Sequence, residues 1–322
     1  MLRHLSLRQL TVFLEAIRNM SFARAAEALH LTQPAISMQI RQLEDVIGLP
    51  LFERVGKHLA LTPAGELFRH HAARVIGELQ DAEQALLSMK GLHSGQATVG
   101  LVSTAKYFAP KLLAQFAGLH PQIDIQFLVG NRETLINALR DNEIDFAVMG
   151  RPPEKLDATA EPVAENPHML VAHKAHRLAR AVRFDFHELR NEPFVMREPG
   201  SGTRLVMEAV FKQHLFTPKR VMTIGSNETV KQAVMAGMGV SLLSLHTLEL
   251  ELRTGEISLL DINGTPVMRS WHLVNMNAKK LSPAAAAFRQ HLLEHTHTYL
   301  DRTFAPYRAR KAPMRRRRIK ST

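Results

Sequence analysis

The chain has 322 residues, 45% of them apolar and 22% charged, which is enough to bury two or three cores and too apolar for a disordered chain. It contains no cysteine and no run near the roughly 18 to 20 apolar residues that cross a bilayer, which excludes disulfides, thiolate metal sites, thiol redox sensing and a transmembrane helix. The net charge of +11 invites an acidic partner. Residues 303–322, however, hold eight basic residues (Arg308, Arg310, Lys311, Arg315, Arg316, Arg317, Arg318 and Lys320) and no acidic one, so the rest of the chain is nearly balanced.

The chain opens with Arg3, His4, Arg8 and Glu15 rather than the apolar core of a signal peptide, so a cytoplasmic protein is expected. Leu7, Leu10, Phe13, Leu14 and Ile17 follow at helical spacing. Ser21 can cap a second helix carrying Ala25, Ala26 and Leu29 on one face, and its alanines allow a close helix approach. Thr32 caps a third, with Pro34 in the first turn where its missing N–H leaves no bond unmade. At 3.6 residues per turn Ile36, Ile40, Leu43 and Ile47 form one stripe, leaving Pro34, Met38 and Arg41 opposite, with Gln33 and Ser37 on the flank. That face suits the major groove, where Gln pairs with adenine and Arg with guanine or phosphate. An ordinary helical hairpin with a solvated polar face would satisfy the same pattern. The next segment argues against it: Leu51–Arg54 and Leu59–Leu61 are strand-like runs around Val55-Gly56-Lys57-His58, a turn with a basic tip. A wing on a three-helix core makes this an all-α winged helix-turn-helix domain over residues 1–62.

The run Ala25-Ala26, Leu29, Thr32-Gln33-Pro34-Ala35, Ser37, Ile40, Leu43-Glu44, Gly48, Leu51-Phe52, Arg54, Leu61-Thr62 and Ala64-Gly65 strongly resembles the N-terminal domain of LysR-type bacterial transcriptional regulators. The resemblance implies that Gln33, Ser37, Met38 and Arg41 approach base edges, and that Ser21, Arg54 and Lys57 lie near the DNA backbone.

Thr62-Pro63 starts a long helix expected to run to about Lys90, since no proline recurs before Pro110. Within it Phe68, Ala72, Val75, Leu79, Ala82, Leu86 and Met89 alternate at spacings of four and three, a heptad seam. The seam could pack on the chain's own core; its length and place between domains favour a partner helix, hence a two-fold dimer on a dyad-symmetric site.

Residues 91–96 read as a hinge. Beyond it, apolar runs at 97–102, 123–129 and 144–149 alternate with helical stretches at 110–118 and 133–141, a βαβ rhythm that predicts a parallel sheet. Similar runs return at 169–172, 193–196, 221–224 and 240–243, before a late strand at 270–276 with Trp271 and a final helix from Pro283 to about Leu300. The expectation is an α/β two-lobed, periplasmic-binding-protein-like domain, with residues 97–164 and 269–300 as one lobe and 165–268 as the other. In such sheets ligands sit at strand carboxyl ends and helix amino ends. Those places hold Ser103, Thr104 and Lys106; Asn131, Arg132 and Thr134; Gly150-Arg151; Arg197, Ser201, Gly202, Thr203 and Arg204; and Ser226 and Asn227. Gly200-Ser201-Gly202-Thr203 ahead of a helix can turn N–H groups toward an anion, flanked by two arginines suited to carboxylate or phosphate. The same loop could instead pair its arginines with Glu198 or Glu208. Residues 303–322, with Pro306 and Pro313, are expected to be a disordered tail, either solvated or touching phosphates without regard to sequence.

These segments are similar to the effector-binding region of the same family. Gly130-Asn131-Arg132-Glu133, Gly150-Arg151-Pro152-Pro153, the 197–204 loop and Ser226–Val234 resemble the branch controlling carbon-fixation (Calvin cycle, RuBisCO) operons. What the resemblance implies is a homotetrameric activator, a dimer of dimers. It would bind promoter DNA, sense a sugar phosphate, phosphoenolpyruvate or nucleotide, recruit RNA polymerase, and need no cofactor, metal or membrane. A regulator of another operon sensing a carboxylate is the nearest alternative. Two further rivals are weaker: a solute-binding protein would need an export signal in place of residues 1–90, and a metal hydrolase would need His291 and His295 of His291-Leu292-Leu293-Glu294-His295 to bind zinc. No nucleophile elbow or paired-carboxylate arrangement suggests enzymatic turnover.

Overall fold

Three helices open the chain: α1 (Leu7–Asn19), α2 (Phe22–Ala28) and α3 (Gln33–Ile47). The computed structural model describes residues 5–56, 58–89, 95–150, 152, 153 and 156–308. Ser6 and Gln9 form a capping box at α1, the Ser21 side chain accepts from Arg24 N–H, and the Thr32 side chain accepts from Ala35 N–H. The apolar faces meet in one core of Leu10, Phe13, Ala16, Ala25, Ala26, Ile36, Ile40 and Leu43. Each fully buried large side chain there contributes roughly 1.5 to 3 kcal/mol. Strands β1 (Phe52–Val55) and β2 (His58–Leu61) form the wing, with Phe52 opposite Leu61.

Helix α4 (Pro63–Met89) leaves this domain directly. Phe68 packs tilted on Phe13, with ring centroids 5.3 Å apart, and Ala72 belongs to the same core. The first two positions of the expected seam therefore bury against the chain's own reading domain, because the start of α4 lies across α1. Further along, Val75, Leu79 and Leu86 are exposed, as is Ala82. The Met89 side chain and residues 91–94 of the expected hinge lie outside the described residues. The hinge also ends early, for Gly95 and Gln96 are already strand, paired with Ile123 and Asp124.

The first lobe holds β3 (Gly95–Val102), α5 (Ala109–Leu119), β4 (Ile123–Gly130), α6 (Arg132–Arg140) and β5 (Phe146–Met149). Strand β3 is parallel to both β4 and β5, as the βαβ rhythm requires. The chain then enters β6 (Ala158–His173), a single strand of 16 residues. The second lobe follows: β7 (Phe194–Arg197), α7 (Gly202–Gln213), β8 (Val221–Ile224), α8 (Asn227–Met235), β9 (Ser241–Ser244), α9 (Glu249–Thr254) and β10 (Ile257–Leu259). Strands β7 and β8 are parallel, whereas β9 and β10 run antiparallel to β6. Strand β11 (Val267–Met276) pairs antiparallel with β6 along its whole length and also with β5. The lobe boundaries expected at 164/165 and 268/269 thus fall within a continuous two-strand ribbon that joins the lobes.

Helix α10 (Pro283–Arg308) returns to the first lobe, where Phe288, Leu292, Leu300 and Phe304 enter its core. The helix outruns the expected stop near Leu300 and takes in residues 303–308 of the expected tail. Phe304 explains this, being buried with its ring 4.8 Å from that of His246. Residues 309–322 lie outside the described residues.

Candidate nucleic-acid interface and ligand cavity

Caps and core together fix which face of α3 is free. Gln33, Pro34, Met38 and Arg41 are exposed, Ser37 is half-buried, and Arg54 is exposed on the wing. Ser21 and Thr32 serve as caps, at 3.4 Å each from the N–H groups they accept. Lys57 lies outside the described residues. Glu44, on the inner side of α3, ties the wing to that helix: its Oε1 accepts from the N–H groups of Leu51 at 2.7 Å and Phe52 at 3.2 Å. A helix with a short polar face beside an anchored wing has the dimensions of a major-groove reader.

Between the lobes lies a cavity of about 600 Å³. The first lobe lines it with Ser103 and Thr104 after β3, Asn131 and Arg132 at the start of α6, and Gly150 and Pro152 after β5. The second lobe adds Ser201, Gly202 and Thr203 at the start of α7, with Leu205, Val206 and Ala209 behind them. Two helix amino ends therefore face one space, each carrying unpaired N–H groups and a partial positive charge. Gly200, at φ +84°, makes the turn that brings Ser201 there, in a backbone region most residues avoid. Ser201 is buried, and its hydroxyl makes no capping bond among the described residues. Arg132 donates from Nη2 to the Pro152 carbonyl at 3.3 Å, and Arg269 adds a second guanidinium from β11. Such a wall binds an anion.

The remaining residues expected at this site sit elsewhere. Arg197 is buried behind the wall, donating to Glu198 at 2.7 and 2.9 Å and to Ser103 Oγ at 3.2 Å. Arg204 turns away, pairing with Glu208 at 2.7 Å and donating to the Arg197 carbonyl. Thr134 bonds Asn131 Oδ1 and does not line the cavity. Lys106 lies over the Tyr107 ring. Ser226 caps α8, while Asn227 donates to Tyr107 Oη at 3.2 Å and Tyr107 donates to Glu228 at 2.9 Å, a clasp between the lobes. Arg151 lies outside the described residues.

The ribbon supplies residues that the sequence reading missed: Asn166 and His168 from β6, and Met268, Arg269, Ser270 and His272 from β11. Their signal was alternation, since Asn166/His168 and Ser270/His272 are polar residues two apart and so share a strand face. His168 is buried, which pushes its pKa down to about 4; burial also lowers that of His272. His291 and His295, the pair considered for zinc, stack at 4.2 Å, and His295 Nδ1 meets the His291 carbonyl at 2.8 Å.

A groove-reading domain on a long helix, followed by a two-lobed domain with a cavity between its lobes, defines a ligand-responsive transcriptional regulator. Residues 7–66 match the model of the bacterial regulatory helix-turn-helix protein, lysR family, and residues 90–297 that of the LysR substrate binding domain. The chain belongs to the LysR family of transcriptional regulators. It is 59% identical over 303 residues to the HTH-type transcriptional regulator CfxR of Cupriavidus necator, covering 94% of this chain and 96% of that one. To the RuBisCO operon transcriptional regulator of Allochromatium vinosum it is 48% identical over 292 residues, 90% of this chain and 96% of the relative. Among solved structures, the regulatory domain of CcmR from Synechocystis in complex with 2-PG is 37% identical, with a TM-score of 0.60 over 62% of this chain and 97% of that one. Full-length CbnR complexed with target DNA shares the fold, with a TM-score of 0.64 at 22% identity, covering 90% of this chain and 99% of that one.

Proposed function

We propose that this chain regulates carbon-fixation operon genes by binding their promoter DNA as a homo-oligomer, under the control of a small anionic metabolite held between its lobes. The observation that carries the reading is the convergence of the α6 and α7 amino ends with Arg132 and Arg269 on one cavity. The relatives named for RuBisCO operons point to the target genes, and the CcmR complex with 2-PG points to a phosphorylated ligand. In this reading Gln33, Ser37, Met38 and Arg41 meet base edges, and Ser21, Arg54 and Lys57 meet phosphates. Ser103, Thr104, Asn131, Ser201 and Thr203 hold the ligand. Val75, Leu79, Ala82 and Leu86 form the contact with a second copy, and a pair of such dimers recruits RNA polymerase.

The ligand must bind one arrangement of the oligomer better than the other, or nothing shifts. Footprinting upstream of the neighbouring operon, with and without sugar phosphates, phosphoenolpyruvate, nucleotides and 2-PG, tests this directly. A protected dyad whose pattern changes with one of these ligands is expected. Protection that no phosphorylated ligand alters would overturn the anion reading.

A further inference from the structure

Both lobes present donors to the cavity described above, and the ribbon, beside the Arg269 guanidinium, presents two histidines. His168 Nδ1 lies 3.1 Å from the Asn166 carbonyl oxygen, and His272 Nδ1 lies 3.1 Å from the Ser270 carbonyl oxygen. A carbonyl only accepts, so each Nδ1 carries the ring proton and each neutral ring has Nε2 left as an acceptor. A carboxylate or fully ionised phosphate, itself only an acceptor, is well matched to the helix ends and arginines. Against Nε2 it meets a second lone pair, and the contact forms only if a proton comes between them.

We infer that His168, assisted by His272, makes the cavity take its anion together with one proton, favouring phosphate monoesters and other ligands that can present an O–H over acids that are acceptors alone. This rests on the anion-cavity reading above. The proton comes from solvent and ends either on His168 Nε2, drawn there by the bound anion, or on a phosphate oxygen that donates to Nε2. Both endings leave the complex with one proton more than its separated partners above pH ~6, the second pKa of a phosphate monoester.

The charged surroundings of His168 favour its neutral state when the cavity is empty. Arg269 on β11 repels a protonated ring, and burial penalises it further. Its paired neighbours, Val267 on β11 and Ser244 on β9, bring no charge. From α6 come Arg132 and, at the rim near Gly200, Glu133; ahead of α7 Arg197 is neutralised by Glu198. The sign of the pH dependence follows. The complex binds more protons than the free partners, so affinity is full at low pH and falls by up to about tenfold per pH unit above the free-state values.

Calorimetric titration of the full-length protein with inorganic phosphate and with 2-PG, at pH 7 and 8 in buffers of different ionisation enthalpy, counts the proton. Uptake of about one proton per anion is expected at pH 8; the affinity for 2-PG should be about tenfold weaker than at pH 7, and that for inorganic phosphate, whose second ionisation lies at pH ~7, about fourfold weaker. In His168→Gln, whose amide can donate, uptake should fall toward zero and the affinities at the two pH values should converge; His272→Gln should change them less. The wild-type count stands even if a variant fails to fold. Anion binding without proton uptake overturns this inference and leaves the cavity reading intact, whereas failure of both anions to bind overturns both.

Discussion

Adding one methyl group at position 65 tests how tightly the reading domain is joined to its linker. Gly65 lies in the first turn of α4, where its N–H donates to Thr62 Oγ1 at 3.0 Å. That hydroxyl donates in turn to the Pro50 carbonyl at 2.6 Å, and Thr62 N–H donates to the Leu51 carbonyl at 3.0 Å. A Cβ on residue 65 would sit 2.0 Å from the Leu51 carbonyl oxygen and 2.9 Å from its carbon, both backbone atoms without a rotamer to escape through. Reaching ordinary contact requires a backbone shift of more than an ångström, which strains the core and disrupts one or two of these bonds. Overpacking costs about 1 to 3 kcal/mol and each lost bond about 1, so Gly65→Ala should destabilise the N-terminal domain by roughly 2 to 4 kcal/mol. The same substitution at Gly118, in the last turn of α5, meets nothing within 4 Å. There it should stabilise by up to about 1 kcal/mol, because alanine has less backbone freedom to lose. Urea unfolding of both variants, with operator binding measured by fluorescence anisotropy, separates the two signs. A Gly65→Ala protein that melts and binds like the wild type would refute the reasoning.

Gln33→Ala and Arg41→Ala should each weaken operator binding by about 1 to 3 kcal/mol with the oligomer intact, and unchanged footprints would remove the groove assignment. Leu79→Glu, at a position 47% exposed in the single chain, should leave the secondary structure seen by circular dichroism unchanged and halve the mass seen by light scattering; a wild-type mass would place the oligomer contact elsewhere. Asp141→Asn removes a carboxylate that is 1% exposed and paired with both Arg69 and His70 of α4. Arg69 keeps Glu66 at 2.8 Å and the linker keeps its contacts at Asp81, so losing this buried partner should cost about 1 to 3 kcal/mol and weaken the ligand-induced change in the footprint while ligand binding persists. A normal ligand-induced change would show that this contact carries nothing.

Helical periodicity, caps and the turn at the wing made the first 90 residues legible, because each of those signals is local. The βαβ rhythm likewise exposed the first lobe and both helix amino ends of the cavity. Strand β6 was only partly visible. Pro162, Pro167, Glu161 and Glu165 argue against a central strand, yet Pro162 and Pro167 are tolerated where β6 is paired with β11 across the gap between the lobes. Missing that continuity hid Asn166 and His168, and with them the acceptor side of the cavity. Arg197 and Arg204 have two readings in the sequence, a ligand or the nearby glutamates, and in the fold they pair with Glu198 and Glu208. Only three-dimensional placement decides which carboxylate an arginine finds. The heptad pattern in α4 divides in the fold, since Phe68 and Ala72 pack in the chain's own core while Leu79 and Leu86 are exposed.

Coupling between a ligand and a DNA site is a free-energy difference, usually about 1 to 3 kcal/mol, and packed elements that link the two sites are one physical route for it. Helix α6 joins the cavity to the linker helix. Its N-cap Asn131 and first residue Arg132 line the cavity, and its C-cap Asp141 is held by Arg69 and His70 of the linker helix. Nine residues at 1.5 Å each make it about 14 Å long, rigid over that distance. The next residue, Asn142, donates to Asp81 further along α4 at 3.4 Å, and Lys279 pairs with Asp145 at 2.9 Å and reaches Asp81 at 3.7 Å. The linker is therefore gripped at residues 69, 70 and 81, three turns apart at its ends, so a tilt of α6 cannot be absorbed by a single side chain. Phe68 and Ala72 on that same stretch pack in the core of the reading domain, against the helices that carry Gln33 and Arg41. The polar cavity wall and the groove-reading face share no residue, yet one short helix and one long one connect them without a gap.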